Sequence, residues 1–263
     1  MVLPGSKKEN DIMIKTLRLI PLLAAFLILA APAFASGGDY QSQLLKKGSL
    51  VIGTSPDYPP YESLENGKLV GFDIELFEAV GAALGLKVEW SQMNFDNILV
   101  AVPAGQVDIG VSGFTFSEER AKNLLFNKVP YLKTAQVAFV QADSPIKSVQ
   151  DFPGRSFYAG LGTTGEAALK EIEGVKINNT MDYQIAFEML SRGQLDGIVC
   201  DVAVGEGYMK AMNLRAIAPP LVDEENFIIT RKGNEKLAEA IDAELAKIMQ
   251  TEAYENLRQK FGL

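Results

Sequence analysis

The sequence predicts an α/β protein built as two lobes. Short apolar runs alternate with helical patterns from Ser49 onward, which is how a sheet with covering helices is encoded. Each half of the chain then carries a Gly/Thr-rich loop straight after an apolar run. No low-complexity linker separates the halves.

Ser49–Thr54 is a buried strand by its run Leu-Val-Ile. Residues 55–61 are expected to be a loop, because Pro56, Pro59 and Pro60 cannot donate to a ladder. Glu65-Asn66-Gly67-Lys68 is a hairpin turn. Ile74, Phe77, Val80 and Leu84 share one face of a helix over 73–84, stopped at Gly85. A strand at 87–90, a short helix at 97–102 and a strand at 107–111 follow. Past 134–141, another strand, residues 156–159 open a second strand–loop–helix unit, its helix expected over 166–172. Tyr183, Ala186, Phe187 and Leu190 mark a helix closed by Gly193, and 194–200 is a strand. Asp201 begins a helix ending near Asn213. Residues 216–221 lead into 226–230, and Leu237, Ile241, Leu245 and Ile248 lie at core spacing in a helical tail.

Lys15 and Arg18 precede the apolar run 19–29, and Ala33-Phe34-Ala35 is a small-x-small cleavage pattern. Residues 1–35 therefore read as a leader and signal peptide cut near Ala35, which places the mature protein in the periplasm. The net charge moves from −8 to −10 on cleavage, because four bases leave with only two acids. An acidic exported chain without basic runs is a poor match for nucleic acid.

The chain has no histidine, which removes Ser-His-Asp and Cys-His catalysis and the commonest transition-metal ligand. No cofactor or metal motif is present. Its one cysteine, Cys200, sits in an apolar run and reads as a core residue.

Ser112–Arg120 follows a strand and combines small residues, the hydroxyls of Thr115 and Ser117 and one guanidinium, a set suited to a carboxylate. A solvated turn fits those nine residues equally well. Ser117 with Glu118 and Glu119 marks a helix start. Gly162-Thr163-Thr164-Gly165 precedes a helix, where free N–H groups favour an anion, but it lacks the Gly-Lys-Ser/Thr ending of a phosphate loop. Asp201, at a strand end, either faces a cleft and accepts an ammonium or caps the next helix. Tyr58, Tyr61, Phe95 and Phe114 lie at strand–helix junctions and either wall a ligand or fill the core.

Val51-Ile52-Gly53-Thr54, Tyr58-Pro59-Pro60-Tyr61-Glu62, Val70–Leu76, Gly113–Arg120, Leu161–Gly165, Asp196–Asp201 and the Tyr254…Phe261-Gly262 tail together resemble the family-3 extracellular solute-binding proteins, the polar amino-acid receptors of ABC importers. The resemblance covers nearly the whole mature chain. It implies a Venus-flytrap fold with two hinge crossovers, lobe 1 being 40–131 plus 226–263 and lobe 2 being 135–222. It further implies that Arg120 clamps a ligand α-carboxylate with Thr115 and the Thr164 backbone. Asp201 and the Gly113 carbonyl take the α-ammonium, and Tyr58 and Phe95 flank the side chain. The partners implied are a free amino acid and a membrane permease, for a monomeric binding protein without chemical turnover.

Two positions depart from the pattern. Ser55 stands where members taking basic amino acids often carry an acid, and Gly160 offers no side chain. Both suggest a neutral ligand side chain unless Asp57 or Glu62 compensates. The rival implied by the same resemblance is a cyclohexadienyl (prephenate/arogenate) dehydratase, for which Glu166 is the candidate general acid. A free-standing sensor is a third possibility.

Overall fold

The computed structural model describes residues 39–179, 182–209 and 211–263. The expected leader and its cleavage point near Ala35 lie outside these described residues.

A 3-10 turn, Asp39–Gln43, leads into β1 (Ser49–Thr54), β2 (Asp57–Tyr58), β3 (Glu62–Glu65) and β4 (Lys68–Val70). Next come α1 (Phe72–Ala83), β5 (Lys87–Gln92), α2 (Phe95–Ala101), β6 (Ile109–Thr115), α3 (Glu118–Ala121) and β7 (Leu124–Phe126). The chain continues through β8 (Leu132–Gln141), β9 (Ser156–Tyr158), α4 (Thr164–Lys170), β10 (Lys176–Asn178), α5 (Tyr183–Ser191) and β11 (Gly197–Asp201). It ends with α6 (Val202–Met209), β12 (Leu214–Arg231), α7 (Glu235–Ile248) and α8 (Glu252–Phe261).

The main sheet runs β10-β9-β11-β8-β12-β6-β1-β5, with β7 pairing β12 off this path. Its flanks are parallel, β5 and β6 on β1, and β10 and β11 on β9. Its middle is antiparallel, because β12 pairs with both β8 and β6. One small core packs around Ile98, Phe114 and Ile229 and another around Phe157, Leu169 and Val199. The parallel flanks place the carboxyl ends of β1, β6 and β11 toward one region, where open α/β sheets bind ligands.

Several boundaries differ from the expectation, each for a local reason. Asp57 and Tyr58 do form a ladder, pairing with Ser63 and Glu62, because the prolines fall on either side of the pair. The hairpin turn carries positive φ at both Asn66 (51°) and Gly67 (76°), as a type I′ turn requires. β6 runs on to Thr115 because β12 supplies a partner as far as Asn226. Helix α4 starts two residues early, since the Thr163 hydroxyl accepts the Glu166 N–H and caps it. β12 joins two expected pieces into one strand of 18 residues. Its register with β8 breaks between Ile217 and Val222, where Pro219 and Pro220 lack the N–H a ladder needs. The tail is two helices, α8 being capped by the Thr251 hydroxyl. Strands β7 and β10, three residues each, were too short to carry a period. Cys200 is fully buried, and burial pushes its thiol well above the usual range, as a core residue.

Candidate functional site

A cleft of about 560 Å³ opens at the carboxyl ends of β1, β6 and β11. Its lining includes Ser55, Asp57, Tyr58, Phe95, Asp96, Ser112, Gly113 and Arg120. Tyr158, Gly160, Leu161, Thr163, Thr164, Asp182, Tyr183 and Asp201 also line it, with Gln136 of β8.

Arg120 belongs to α3, whose start is fixed by the Ser117 hydroxyl accepting the Arg120 N–H. One guanidinium nitrogen donates to the Thr115 carbonyl at 2.7 Å and another to the Gly162 carbonyl at 2.9 Å. The guanidinium also lies 5.6 Å from the Phe95 ring centroid and 5.9 Å from that of Phe114. Phe95 is stacked on Phe114, which is fully buried. Burial draws the Arg120 pKa down to about 10, against the opposing pull of Glu224, so the group is a cation at neutral pH. It makes no ion pair among the described residues. A fixed cation held by neutral carbonyls attracts an anion and retains donor capacity for one.

Asp201 ends β11 and is 3% exposed. Tyr61 donates to one carboxylate oxygen at 2.6 Å and Thr134 to the other at 2.5 Å. The Ala203 N–H also reaches Oδ1, so Asp201 faces the cleft and caps α6 at once. Its own N–H donates to the Tyr58 hydroxyl at 2.8 Å. Burial is the main cause of a pKa raised to about 6, partly offset by the hydrogen bonds. An ammonium beside it would replace the water lost on burial.

The remaining end of the cleft is acidic and aromatic. Tyr58, Tyr158 and Tyr183 pack together, with Tyr183 4.8 Å from Tyr58 and 5.0 Å from Tyr158 between centroids. Asp57 accepts from the Ser55 hydroxyl at 2.8 Å. Burial raises the Asp57 pKa, and the charge of Asp182 adds to the rise. A side chain at Gly160 would meet the Tyr183 hydroxyl, which already takes the Gly160 N–H at 3.1 Å.

Six of the seven expected ligand-binding residues therefore share one cleft: Tyr58, Phe95, Gly113, Arg120, Thr164 and Asp201. Thr115 stands behind Arg120. Its carbonyl holds the guanidinium, and its hydroxyl is buried without a protein partner and outside the cleft lining. Glu62 does not compensate for Ser55, being fully buried against Ser112 and Asp73, whereas Asp57 does line the cleft. Glu166 is outside the cleft lining. Burial alone would raise its pKa, but Lys170, the Gly162 N–H and Asn179 hold it below the usual carboxylate range. An ionised, fully engaged carboxylate has no proton to give, so its expected role as a general acid is not supported.

The sequence did not point to Gln136, Glu224, Asp182 or Tyr183. Glu224 is buried in β12, where it accepts from the Thr164 hydroxyl and from Gln136 at 2.8 Å. It sits in the run Asp223-Glu224-Glu225, which looks like a solvated crossover. Asp182 carried a usable signal as the cap of α5, since it accepts the Ile185 N–H.

Residues 50–263 match the bacterial extracellular solute-binding proteins, family 3. Among curated relatives, the arginine-binding extracellular protein ArtP of Bacillus subtilis is 28% identical over 249 residues, covering 92% of this chain and 96% of that protein. Among solved structures, an ancestral arginine-binding protein bound to arginine is 35% identical with a TM-score of 0.76, over 81% of this chain and 98% of that one. The ancestral amino acid-binding protein AncCDT-1, a precursor of cyclohexadienyl dehydratase, is 32% identical with a TM-score of 0.78, over 84% of this chain and 98% of that one.

Proposed function

The chain belongs to the family 3 bacterial extracellular solute-binding proteins, and from that premise we propose that it captures a free amino acid outside the cytoplasm and delivers it to an ABC importer. The observation that supports this reading is the pair of opposite charges, Arg120 and Asp201, lining one cleft. Neither has an ionic partner in the protein among the described residues. A zwitterion offers a carboxylate to the first and an ammonium to the second, and both bonds are charge-assisted in a partly dry site.

The side chain we assign is cationic, with arginine the leading case. Asp57 and Asp182 lie beside three tyrosine rings at the cleft's far end, and such a combination favours a planar cation. The Ser55 argument for a neutral ligand loses its force, because Asp57 binds the Ser55 hydroxyl and supplies the acid from two residues further on. The names of the arginine-binding relatives support the same choice.

In this reading 40–131 plus 226–263 and 135–222 are two lobes, joined through the long strands β8 and β12. A ligand spanning both favours the closed arrangement by its differential affinity. The protein acts as a monomer in the periplasm after signal cleavage near Ala35, and the closed lobes meet the permease.

The test is a thermal-shift screen of residues 36–263 against the amino acids plus prephenate. At about a hundred times its Kd, the ligand should raise Tm by roughly 5–10 °C. Arginine should outrank glutamine, and Asp57→Asn should narrow that preference about tenfold, as expected for loss of one charge partner. No shift with any amino acid, or product formed from prephenate, would overturn the proposal.

A further inference from the structure

Beneath the cleft wall lies a pair of acids that the ligand contacts above do not use. Glu62 and Asp73 are both fully buried. The two carboxyl groups act directly on each other's charge, and neither has a Lys or Arg within 4 Å among the described residues. Gly71 makes this approach possible. Its φ is 140°, and a Cβ there would sit 2.0 Å from the Tyr61 carbonyl, so only glycine lets β3 close onto the start of α1.

Each acid is tied to the cleft by one hydroxyl. Ser112 donates to Glu62 at 2.5 Å and accepts the Ser55 N–H at 3.4 Å. Tyr131 donates to Asp73 at 2.8 Å and accepts the Gly113 N–H at 3.3 Å. Ser112 and Gly113 are adjacent, and both line the cleft. The second oxygen of each, Glu62 Oε2 and Asp73 Oδ1, is buried without a hydrogen-bond partner.

We propose that Glu62 and Asp73 are positioning residues that share one proton and so fix Ser112 and Gly113, presenting the Gly113 carbonyl to the ligand's ammonium. This rests on the amino-acid-binding reading above. Two touching carboxyl groups in a dry site cannot both ionise, and a proton between them satisfies both facing oxygens. The pair then acts as one rigid bracket across the Ser112–Gly113 peptide.

Burial, followed by the charge of Asp73, lifts Glu62 well above the usual carboxylate range. Burial also raises Asp73, to about 7. Folded-state values above the unfolded ones mean that the folded chain holds protons the unfolded chain releases. Stability from the pair is therefore present at low pH and lost as pH rises through the folded values. The other titratable groups facing the pair are Asp57, Asp201, Tyr61 and Tyr131. All four are present in both wild type and a Glu62 variant, so the difference between the two proteins reports the loss of the Glu62 carboxyl.

The experiment compares wild type, Glu62→Gln, Glu62→Leu and Ser112→Ala. Glu62→Gln keeps an acceptor for Ser112 and gives Asp73 a permanent N–H. It should bind the amino acid within about threefold of wild type, as a retained hydrogen bond predicts. Its ligand-free Tm should fall less than that of wild type between pH 5 and 9. Glu62→Leu should weaken binding about tenfold or more. If it does not fold, Ser112→Ala, which cuts only the link to the wall, should weaken binding severalfold. Equal pH slopes in wild type and Glu62→Gln would overturn the shared proton. Wild-type affinity in folded Glu62→Leu, or in Ser112→Ala, would overturn the positioning role. Should wild type bind no amino acid at all, the functional reading fails, while the pH slopes still judge the proton.

Discussion

Arg120 and Asp201 face the same cleft but are held in opposite ways. Arg120 is clamped by two backbone carbonyls and two aromatic faces, none of which titrates. Asp201 is held by two hydroxyls and one N–H, and its charge is conditional, with a pKa near 6. The difference teaches that one end of the cleft has a constant field and the other a field set by pH. Each end can be broken alone, and the comparison sets the order of the expected effects.

The largest belongs to Arg120→Ala. Removing Arg120, the one cation lining the cleft among the described residues, leaves the ligand carboxylate unpaired in a partly dry site, which costs about 3–5 kcal/mol, a hundredfold or more in Kd. Calorimetry that finds unchanged affinity would mean that Arg120 only braces Gly162. The loss should be similar at pH 5 and pH 8, since the carbonyls and rings against the guanidinium do not titrate.

Asp201→Asn comes next, at about 1.5–3 kcal/mol for one charge-assisted bond, and its effect must depend on pH. In the free protein Asp201 takes a proton as pH falls through about 6. The bound ammonium needs the ionised form, so binding expels that proton. Affinity should then be full above pH 7 and drop about tenfold per unit below 6, each unit being worth about 1.4 kcal/mol. Asp201→Asn should flatten this slope to what Asp57 contributes. A wild-type affinity that is flat from pH 4.5 to 8 would show that Asp201 does not meet the ammonium.

The same contrast marks what the chain disclosed before its fold was known. Asp201 was legible because it ends an apolar strand, and Arg120 because it lies in the first helical turn after one. The helix faces of α1, α5 and α7 were legible because their period is local. The place of Thr115 behind Arg120 was not, since it depends on where the guanidinium folds back onto the end of β6. Glu62 and Asp73 are 11 positions apart, and their meeting depends on the closure of β3 onto α1 through Gly71. Glu224 resembled a surface acid because its burial comes from β8 and α4, elements remote in sequence. Glu166 was misjudged although Lys170, four residues on, announced a helical ion pair.

Glu166 gives the smallest effect, and one of a different kind. It acts on the loop backbone behind Thr164, holding the Gly162 N–H at 2.9 Å and Asn179 at 2.6 Å. Lys170 is 58% exposed, so its part of the interaction is screened by solvent. Glu166→Gln should therefore lower stability by about 1 kcal/mol, chiefly through the weakened bond to Gly162. The Glu166 pKa is depressed in the folded protein, so this contribution is present above the ordinary glutamate value and fades as pH falls below it. Ligand affinity should stay within about twofold, because the Gly162 carbonyl still receives Arg120. A denaturant melt at pH 7 and pH 3.5, with calorimetry at pH 7, checks both halves. A large loss of affinity without loss of stability would move Glu166 into the ligand's own contacts and reopen a proton-transfer role at this loop.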